Sequence, residues 1–417
     1  MDLPAAGAYP WPMTAHPPAR FLDPVSPPHI ATLIVLTGLS ALTMNIFLPS
    51  LPGMAAHFDA PYRLMQLSVA LYLGVNAALQ VVIGPISDRW GRRPVVLWGI
   101  ALFLMATLGC IFAPNVEVFL VLRMLQGAIV VAMVLGRAVV RDIVPQDRAA
   151  SMIGYVTMGM AVVPMVGPAL GGLLDELFGW QASFWALLAL GLAVLWLAWR
   201  DMGETAPLSG RSWAAQVRDY PELLTSPRFW GYAGAAGLSS GSFFAYLGGA
   251  PFVGDRVFGL SPAELGIFFG APAVGYFAGN FLSGRFSVQV GVNRMVLWGA
   301  LANAAGIALN LALFHAGLGS PVSFFGLMTA MGLGNGMVIP NATAGALSVR
   351  PHLAGTASGL AGALMIGLGA ALSALSGAAL GPGTGALPLL WIMLVSGLAS
   401  VAAIGLVIGR ERRLARG

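Results

Sequence analysis

The sequence predicts an all-α membrane protein of twelve transmembrane helices, arranged as two pseudo-symmetric six-helix bundles. Three observations carry this. Of the 417 residues 58% are hydrophobic and only 9% are charged, with a mean hydropathy of +0.82, whereas a soluble domain carries about a quarter charged residues. Apolar runs of about 20 residues, the length a helix needs to cross some 30 Å of hydrocarbon, recur at short intervals from Ile30 to Val407. A stretch in the first half returns two hundred residues later.

Residues 1–29 contain eight prolines and no apolar core behind a basic start. They are read as a disordered cytoplasmic tail, not a secretory signal. The predicted spans cover 30–50, 64–86, 95–113, 118–140, 151–173 and 182–199 in a first bundle (30–200). Spans 229–250, 263–284, 295–315, 321–345, 355–378 and 386–408 form a second (228–408). Between them lies a polar linker, 201–227, and a basic tail, 409–417, follows. A transmembrane barrel would alternate apolar and polar residues in segments of about ten, and Val95 to Phe112 does not alternate. Many of the 55 glycines sit inside spans, as expected where helices approach closely and neighbours repair disturbed backbone.

The repeat is Val96-Leu97-Trp98-Gly99 against Val296-Leu297-Trp298-Gly299, with Gly84, Ser87 and Gly91 matching Gly284, Ser287 and Gly291. Both copies fall between the second and third span of a half. Two related halves joined by a linker place a substrate site at the midplane between them.

Arginine sets the orientation. All 21 basic residues are Arg, and with the N-terminus inside only Arg63 and Arg256 fall on the outer side, so both termini are expected in the cytoplasm. The basic balance reflects this asymmetry, and no nucleic-acid module is present. Cys110 is the single cysteine and lies within a span, which excludes an intramolecular disulfide. The five His residues lie in tails or near span ends, no Gly-x-Ser-x-Gly elbow occurs, and no catalytic set stands inside the spans. No enzyme activity, metal or cofactor is expected.

Three motifs stand out. Gly84-Pro-Ile-Ser-Asp88-Arg89-Trp-Gly91-Arg92-Arg93 is a knot of charge between two spans. Its carboxylate is placed to meet the N-terminus of a neighbouring helix, which favours an anion; ordinary anchoring by its arginines is the plainer reading. Leu122-Arg123-Met-Leu-Gln126-Gly127 puts a cation inside a span, where it must have partners or a wet cavity. Gln126 lies one turn on and Glu117 a turn and a half earlier. Gly159, Pro164, Gly167, Pro168, Gly171 and Gly172 give the fifth span a smooth, bendable face, either a seal between halves or simple close packing.

In this order and at these spans, the motifs resemble those of the major facilitator superfamily over residues 30 to 408, in its drug/proton antiporter type. Leu48-Pro49-x-Leu51-Pro52, Arg137-Ala-Val-Val-Arg141-Asp142, and Phe244-Ala-Tyr246 with Ala250-Pro251-Phe252 are similar to the Bcr/CflA drug-resistance branch. The resemblance implies a major facilitator fold and a secondary active transporter that exports small, lipophilic organic molecules in exchange for protons, in a bacterial inner membrane. It further implies that Asp88 meets the eleventh span near Gly355 and Thr356, and that Arg92 pairs with Asp142. Both contacts would form a conformational latch, with Gly84, Arg89, Gly91 and Arg93, that holds the halves together when the outside is open.

One departure from the branch matters. Where it has an acid in span one, this chain reads Asn45-Ile46-Phe47-Leu48-Pro49, and Asn cannot carry a proton. Glu117 is then the first candidate for the coupling acid, with a boundary acid, a different ion or none as alternatives. Arg123, with Gln126, would tune a nearby acid, touch substrate, or serve only as an interhelical donor. The facing spans offer Asn45, Asn76, Tyr155, Phe243, Tyr246, Tyr276, Asn280, Asn335 and Asn341 as a substrate-binding wall suited to an amphipathic ligand. The expected partners are a small-molecule substrate, protons and the lipid bilayer, with no nucleic acid, and the chain is expected to be a monomer. A uniporter or other-ion-coupled exporter of a metabolite, or a non-transporting sensor or assembly protein on the same fold, are the alternatives.

Overall fold

A computed structural model describes residues 20–143, 163, 166–205, 221–350 and 353–414. The first half contains α1 (Ile30–Asn45), α2 (Leu51–His57), α3 (Tyr62–Trp90), α4 (Arg92–Ile111), α5 (Val116–Gln126), α6 (Val130–Ile143), α7 (166–178) and α8 (Gln181–Asp201). The second contains α9 (Pro227–Phe252), α10 (Pro262–Phe268), α11 (Ala271–Val290), α12 (Val292–His315), α13 (Pro321–Ser348), α14 (Ala354–Ala379) and α15 (Leu387–Leu414). Among the described residues no strand occurs.

Among the described residues ten helical stretches are long and apolar enough to cross a bilayer. Helix α9 and the described part of α7 occupy the remaining two of twelve span positions. The 26 residues of α9 are rich in Gly, Ser and Ala and are buried along most of their length. A helix enclosed by other helices needs no lipid-facing hydropathy, which explains why α9 is not among the ten.

The helix ends follow from local chemistry. Ser226 caps α9 with Pro227 in its first turn, and Ser320 and Ser323 form a reciprocal capping box on α13. Asn115 accepts from the Val118 amide at 2.9 Å and starts α5. The repeat is visible in the backbone: Gly91 has φ 93°, ψ 152° and Gly291 φ 89°, ψ 147°. Each amide donates to the carbonyl of Ser87 or Ser287 at 2.9 Å. A side chain rarely adopts this conformation, so glycine is required at both joints.

The first half packs around Phe47, Phe103, Phe119, Trp180 and Phe184, all buried. In the second half α11 and α13 touch at backbone distance, where a Cβ on Gly279 would lie 3.0 Å from the Gly336 Cα. The halves meet along α3 and α14. Gln66 donates from Nε2 to Ser373 O at 2.6 Å and Ser373 Oγ at 2.8 Å, and Tyr62 Oη donates to Gly248 O at 2.8 Å. Among the described residues these are the hydrogen bonds that cross between halves, and all lie at the arginine-poor end.

Three expectations need correction. Residues 20–29, assigned to a disordered tail, fold against the end of α8: the amides of Leu22 and His29 donate to the two oxygens of buried Asp201, at 2.6 and 2.9 Å. Residues 202–205, assigned to the linker, belong to the first bundle, with Met202 and Thr205 buried. A carboxylate at a helix end can gather distant amides, and periodicity does not register that. The fourth span is not one helix but α5 and α6 joined by a 3-10 turn, Gly127–Ile129, where α3 comes close enough to put Val75 Cγ1 3.2 Å from a Cβ at Gly127.

Candidate transport site

Arg123 projects from α5 into the first bundle and is fully buried. Its guanidinium lies between two rings, 4.3 Å from the centroid of Phe47 and 4.2 Å from that of Tyr72. Nη1 donates to Gln126 Oε1 and Nη2 to Thr43 O at 2.9 Å. Gln126 in turn donates to Thr107 Oγ1 at 2.8 Å, and Thr107 to Phe103 O at 2.7 Å. An arginine at the centre of a membrane helix costs about 2.5–3.5 kcal/mol. A desolvated cation–π contact contributes about 2 kcal/mol and a hydrogen bond to a charged group about 1.5–3, so two rings and two acceptors offset the burial. The cage holds the charge without an acid.

Glu117, the expected coupling acid, is exposed in the first turn of α5. No ion pair joins it to Arg123 among the described residues. The physical reason is the Asn115 cap, which ends the helix just before it. That signal was present in the sequence. Asn45 is fully buried, its Nδ2 donating to Ala41 O at 2.7 Å and its Oδ1 unpartnered. It faces α7, where a Cβ on Gly167 would lie 3.7 Å from the Asn45 Cβ.

The charged knot sits where α3 meets α4. Arg92 Nη1 lies 2.5 Å from Asp88 Oδ1, and Nε 3.1 Å from Asp142 Oδ2 at the end of α6. Nη1 also donates to Ser87 Oγ. Glu204, which sequence reasoning missed, folds back from the end of α8 and caps α4. Oε1 accepts from the Arg92 amide at 2.7 Å and Oε2 from the Arg93 amide at 3.1 Å. Gly91 lies against that carboxylate, so a Cβ there would be 2.9 Å from Glu204 Cδ. Arg93 Nη2 donates to Trp199 O at 2.9 Å; Arg89 is exposed and Gly84 has open space around it. The expectation that the Arg92–Asp142 pair joins the two halves is corrected: both residues, and Glu204, belong to the first bundle. Glu204→Ala is expected to lower stability by about 1–2 kcal/mol through loss of the cap, read as a fall in Tm of purified protein, with Glu204→Gln in between.

The second bundle also places a carboxylate beside its repeat glycine, without the backbone cap. Glu411, near the end of α15, lies 2.7 Å from Arg228 Nη2 and accepts from the side-chain Nδ2 of Asn293, two residues past Gly291.

Gly171 and Gly172 of α7 are packed against backbone. A Cβ on Gly171 would run into the Ile46 carbonyl, and one on Gly172 into the Pro262 carbonyl across the halves. The Pro168 carbonyl closes on Gly266 in the same way. Gly159, Pro164 and Tyr155 lie outside the described residues. Gly172→Ala is expected to pry the arginine-poor ends apart, raising the reactivity of a cysteine placed at Pro262 several-fold toward a membrane-impermeant maleimide.

The remaining wall residues divide. Asn335 accepts from Ser239 Oγ at 2.7 Å, and Asn341 donates to Ser283 Oγ at 2.7 Å and Met337 O at 2.8 Å; both are satisfied ties between helices. Asn76 Oδ1 and Tyr246 Oη are buried without partners. Tyr246 stands in an aromatic group with Phe243, Phe269 and Phe325. Tyr276 and Asn280 are half-buried on α11, and Asn280 donates to Tyr276 O at 2.8 Å. Arg137, exposed on α6 of the opposite half, is within electrostatic reach of Tyr276. The arrangement can surround an organic ligand with aromatic faces, amides and one cation. Among the described residues no His/Cys/Asp/Glu cluster could hold a metal.

Residues 33–374 match the family model of the Major Facilitator Superfamily, and the chain belongs to that superfamily. It is 33% identical to the uncharacterized MFS-type transporter YdgK of Bacillus subtilis (strain 168) over 89% of this chain and 93% of that one. It is 32% identical to a chloramphenicol resistance protein of Pseudomonas aeruginosa over 78% of each chain. Multidrug resistance protein D of Escherichia coli (strain K12) is 30% identical, covering 87% and 91%. A solved D-xylose-proton symporter shares the fold at a TM-score of 0.70 and 18% identity, over 91% of this chain and 96% of that one. The chain is therefore a multi-pass transporter of that superfamily, with relatives named for drug resistance, and not an enzyme.

Proposed function

We propose that this chain exports small, lipophilic organic molecules across the bacterial inner membrane by alternating access, in exchange for protons. The observation that carries the reading is the asymmetry of the contact between halves. Every described hydrogen bond across it lies at the arginine-poor end, while the described contacts of the charged knot at the other end lie within its own bundle. With arginine-rich loops in the cytoplasm, this is a transporter shut on the outside. Opening outward breaks the Tyr62–Gly248 and Gln66–Ser373 contacts and brings Asp88 to the N-terminus of α14, where the latch acts.

With Asn45 in place of an acid and Glu117 exposed, coupling falls to a boundary acid, and Asp175 is the one we assign. It follows the Gly171–Gly172 seal on α7, and burial raises its carboxyl above the usual value, with Glu176 adding to the rise and the Ser50 hydroxyl opposing it. Exchange requires the coupling acid to take its proton from the outside when the cleft opens outward and to release it to the cytoplasm when the outside is shut, and Asp175 stands at the end that opens outward. Asp175→Asn is expected to abolish accumulation driven by a pH gradient while leaving downhill exchange intact.

The reading as an exporter is tested in inverted vesicles with labelled chloramphenicol. Energised vesicles that contain the protein should accumulate the drug, and Asp88→Asn should stop accumulation without removing the protein from the membrane. No accumulation of chloramphenicol or related lipophilic drugs under any gradient would contradict export; full accumulation by Asp88→Asn would contradict the latch.

A further inference from the structure

A groove on the described surface lies away from the cleft, on the outer wall of the first bundle, where α4 and α8 pack side by side. Its volume is about 750 Å³, and it is lined by Arg93, Pro94, Leu97, Trp98 and Ala101 of α4 and by Leu192, Leu195, Trp196 and Trp199 of α8. Each helix contributes residues at the spacing of one helical face. Three tryptophans and one arginine stand at its arginine-rich end. Trp98, Trp196 and Trp199 are more than half exposed, as is Leu192, although Gly191 beside them is buried against Phe103 and Leu104 of α4. The helices thus touch at Gly191 and splay open past it.

We propose that this groove is a binding site for one anionic glycerophospholipid of the arginine-rich leaflet. Its phosphate would engage Arg93 and one acyl chain would lie along Leu97, Ala101, Leu192 and Leu195. Charge complementarity selects this occupant. Arg93, half-buried, commits Nη2 to the Trp199 carbonyl, which fixes the guanidinium at the groove mouth. Arg200, stacked 5.9 Å over the Trp199 ring, adds a second cation at the same level. The Glu204 carboxylate is engaged by the amides of Arg92 and Arg93. Tryptophans mark the depth at which headgroup gives way to hydrocarbon, and a guanidinium recognises phosphate through paired donors. The apolar floor begins directly below them. The same wall carries the Glu204 cap through the backbone of Arg93, so an occupied groove would brace the knot.

The test is native mass spectrometry of the full-length protein, equilibrated in detergent with equal amounts of dioleoyl phosphatidylglycerol and dioleoyl phosphatidylcholine. The wild type should retain one phosphatidylglycerol with a preference of roughly tenfold, equivalent to about 1.4 kcal/mol. Arg93→Gln should erase the preference. Ala101→Trp, which fills the floor without touching the charge, should reduce retention of both lipids, and its Tm reports whether the fold survives should Arg93→Gln fail to express. Glycerol phosphate without acyl chains should not compete. Equal retention of the two lipids by the wild type, unchanged retention in Ala101→Trp, or displacement by glycerol phosphate would overturn the proposal.

Discussion

Arg123→Lys is expected to leave a folded protein in the membrane that no longer exports. Lysine keeps the charge but loses the planar fork that reaches Gln126 Oε1 and Thr43 O together, and the flat face held between Phe47 and Tyr72. Removing one hydrogen bond to a charged group and the stacking it orients corresponds to about 1.5–3 kcal/mol, so vesicle transport should fall at least about tenfold. Because the cage contains no acid, the substitution leaves no carboxylate stranded, and Tm should stay within a few degrees of the wild type. Export at the wild-type rate by Arg123→Lys would mean that the charge alone matters and that the stacked geometry is incidental.

Gly91→Ala should destabilise the protein well beyond its counterpart Gly291→Ala, which supplies the internal control. The two glycines share one backbone conformation, so both substitutions incur the strain of a positive-φ, extended backbone open essentially only to glycine, about 1–3 kcal/mol. Only Gly91 lies against a carboxylate. Its methyl group must push Glu204 away from the amides of Arg92 and Arg93, adding the loss of a helix cap, about 1–2 kcal/mol more. Nothing stands within 4 Å of a Cβ at Gly291. Urea or thermal unfolding in detergent should rank Gly91→Ala well below Gly291→Ala; equal losses would show that Glu204 contributes nothing to the joint.

The helices, their order and the two-half repeat were legible because membrane length and hydrophobicity are local properties of the chain. Gly91 and Gly291 were legible as a repeated pair, and the structure shows why the pair must be glycine. The polar interior was harder to read. The partners of Arg123 come from Thr43, Phe47 and Tyr72, residues more than fifty positions away, and no spacing rule links an arginine to two rings on other helices. Glu204 was read as linker because it follows the last apolar residue of α8, yet a carboxylate there reaches two unpaired amides at the start of α4. Glu117 was misplaced for the opposite reason: Asn115 announces a helix start, and an acid in a first turn belongs to the cap. Asn335 and Asn341 look like ligand contacts in the sequence and are ties between helices in the fold, since a buried amide is satisfied by whichever hydroxyl or carbonyl packs beside it.

The central claim is proton-coupled export through a cleft that opens alternately to each side. Its most direct test is drug transport in reconstituted vesicles with the pH gradient and the membrane potential set independently, read alongside the pH of the lumen. The account predicts that chloramphenicol accumulates in step with an acid-lumen pH gradient, that each addition of drug alkalinises the lumen, and that Asp175→Asn abolishes both. Drug flux that persists unchanged with the pH gradient collapsed, and without movement of protons, would contradict it.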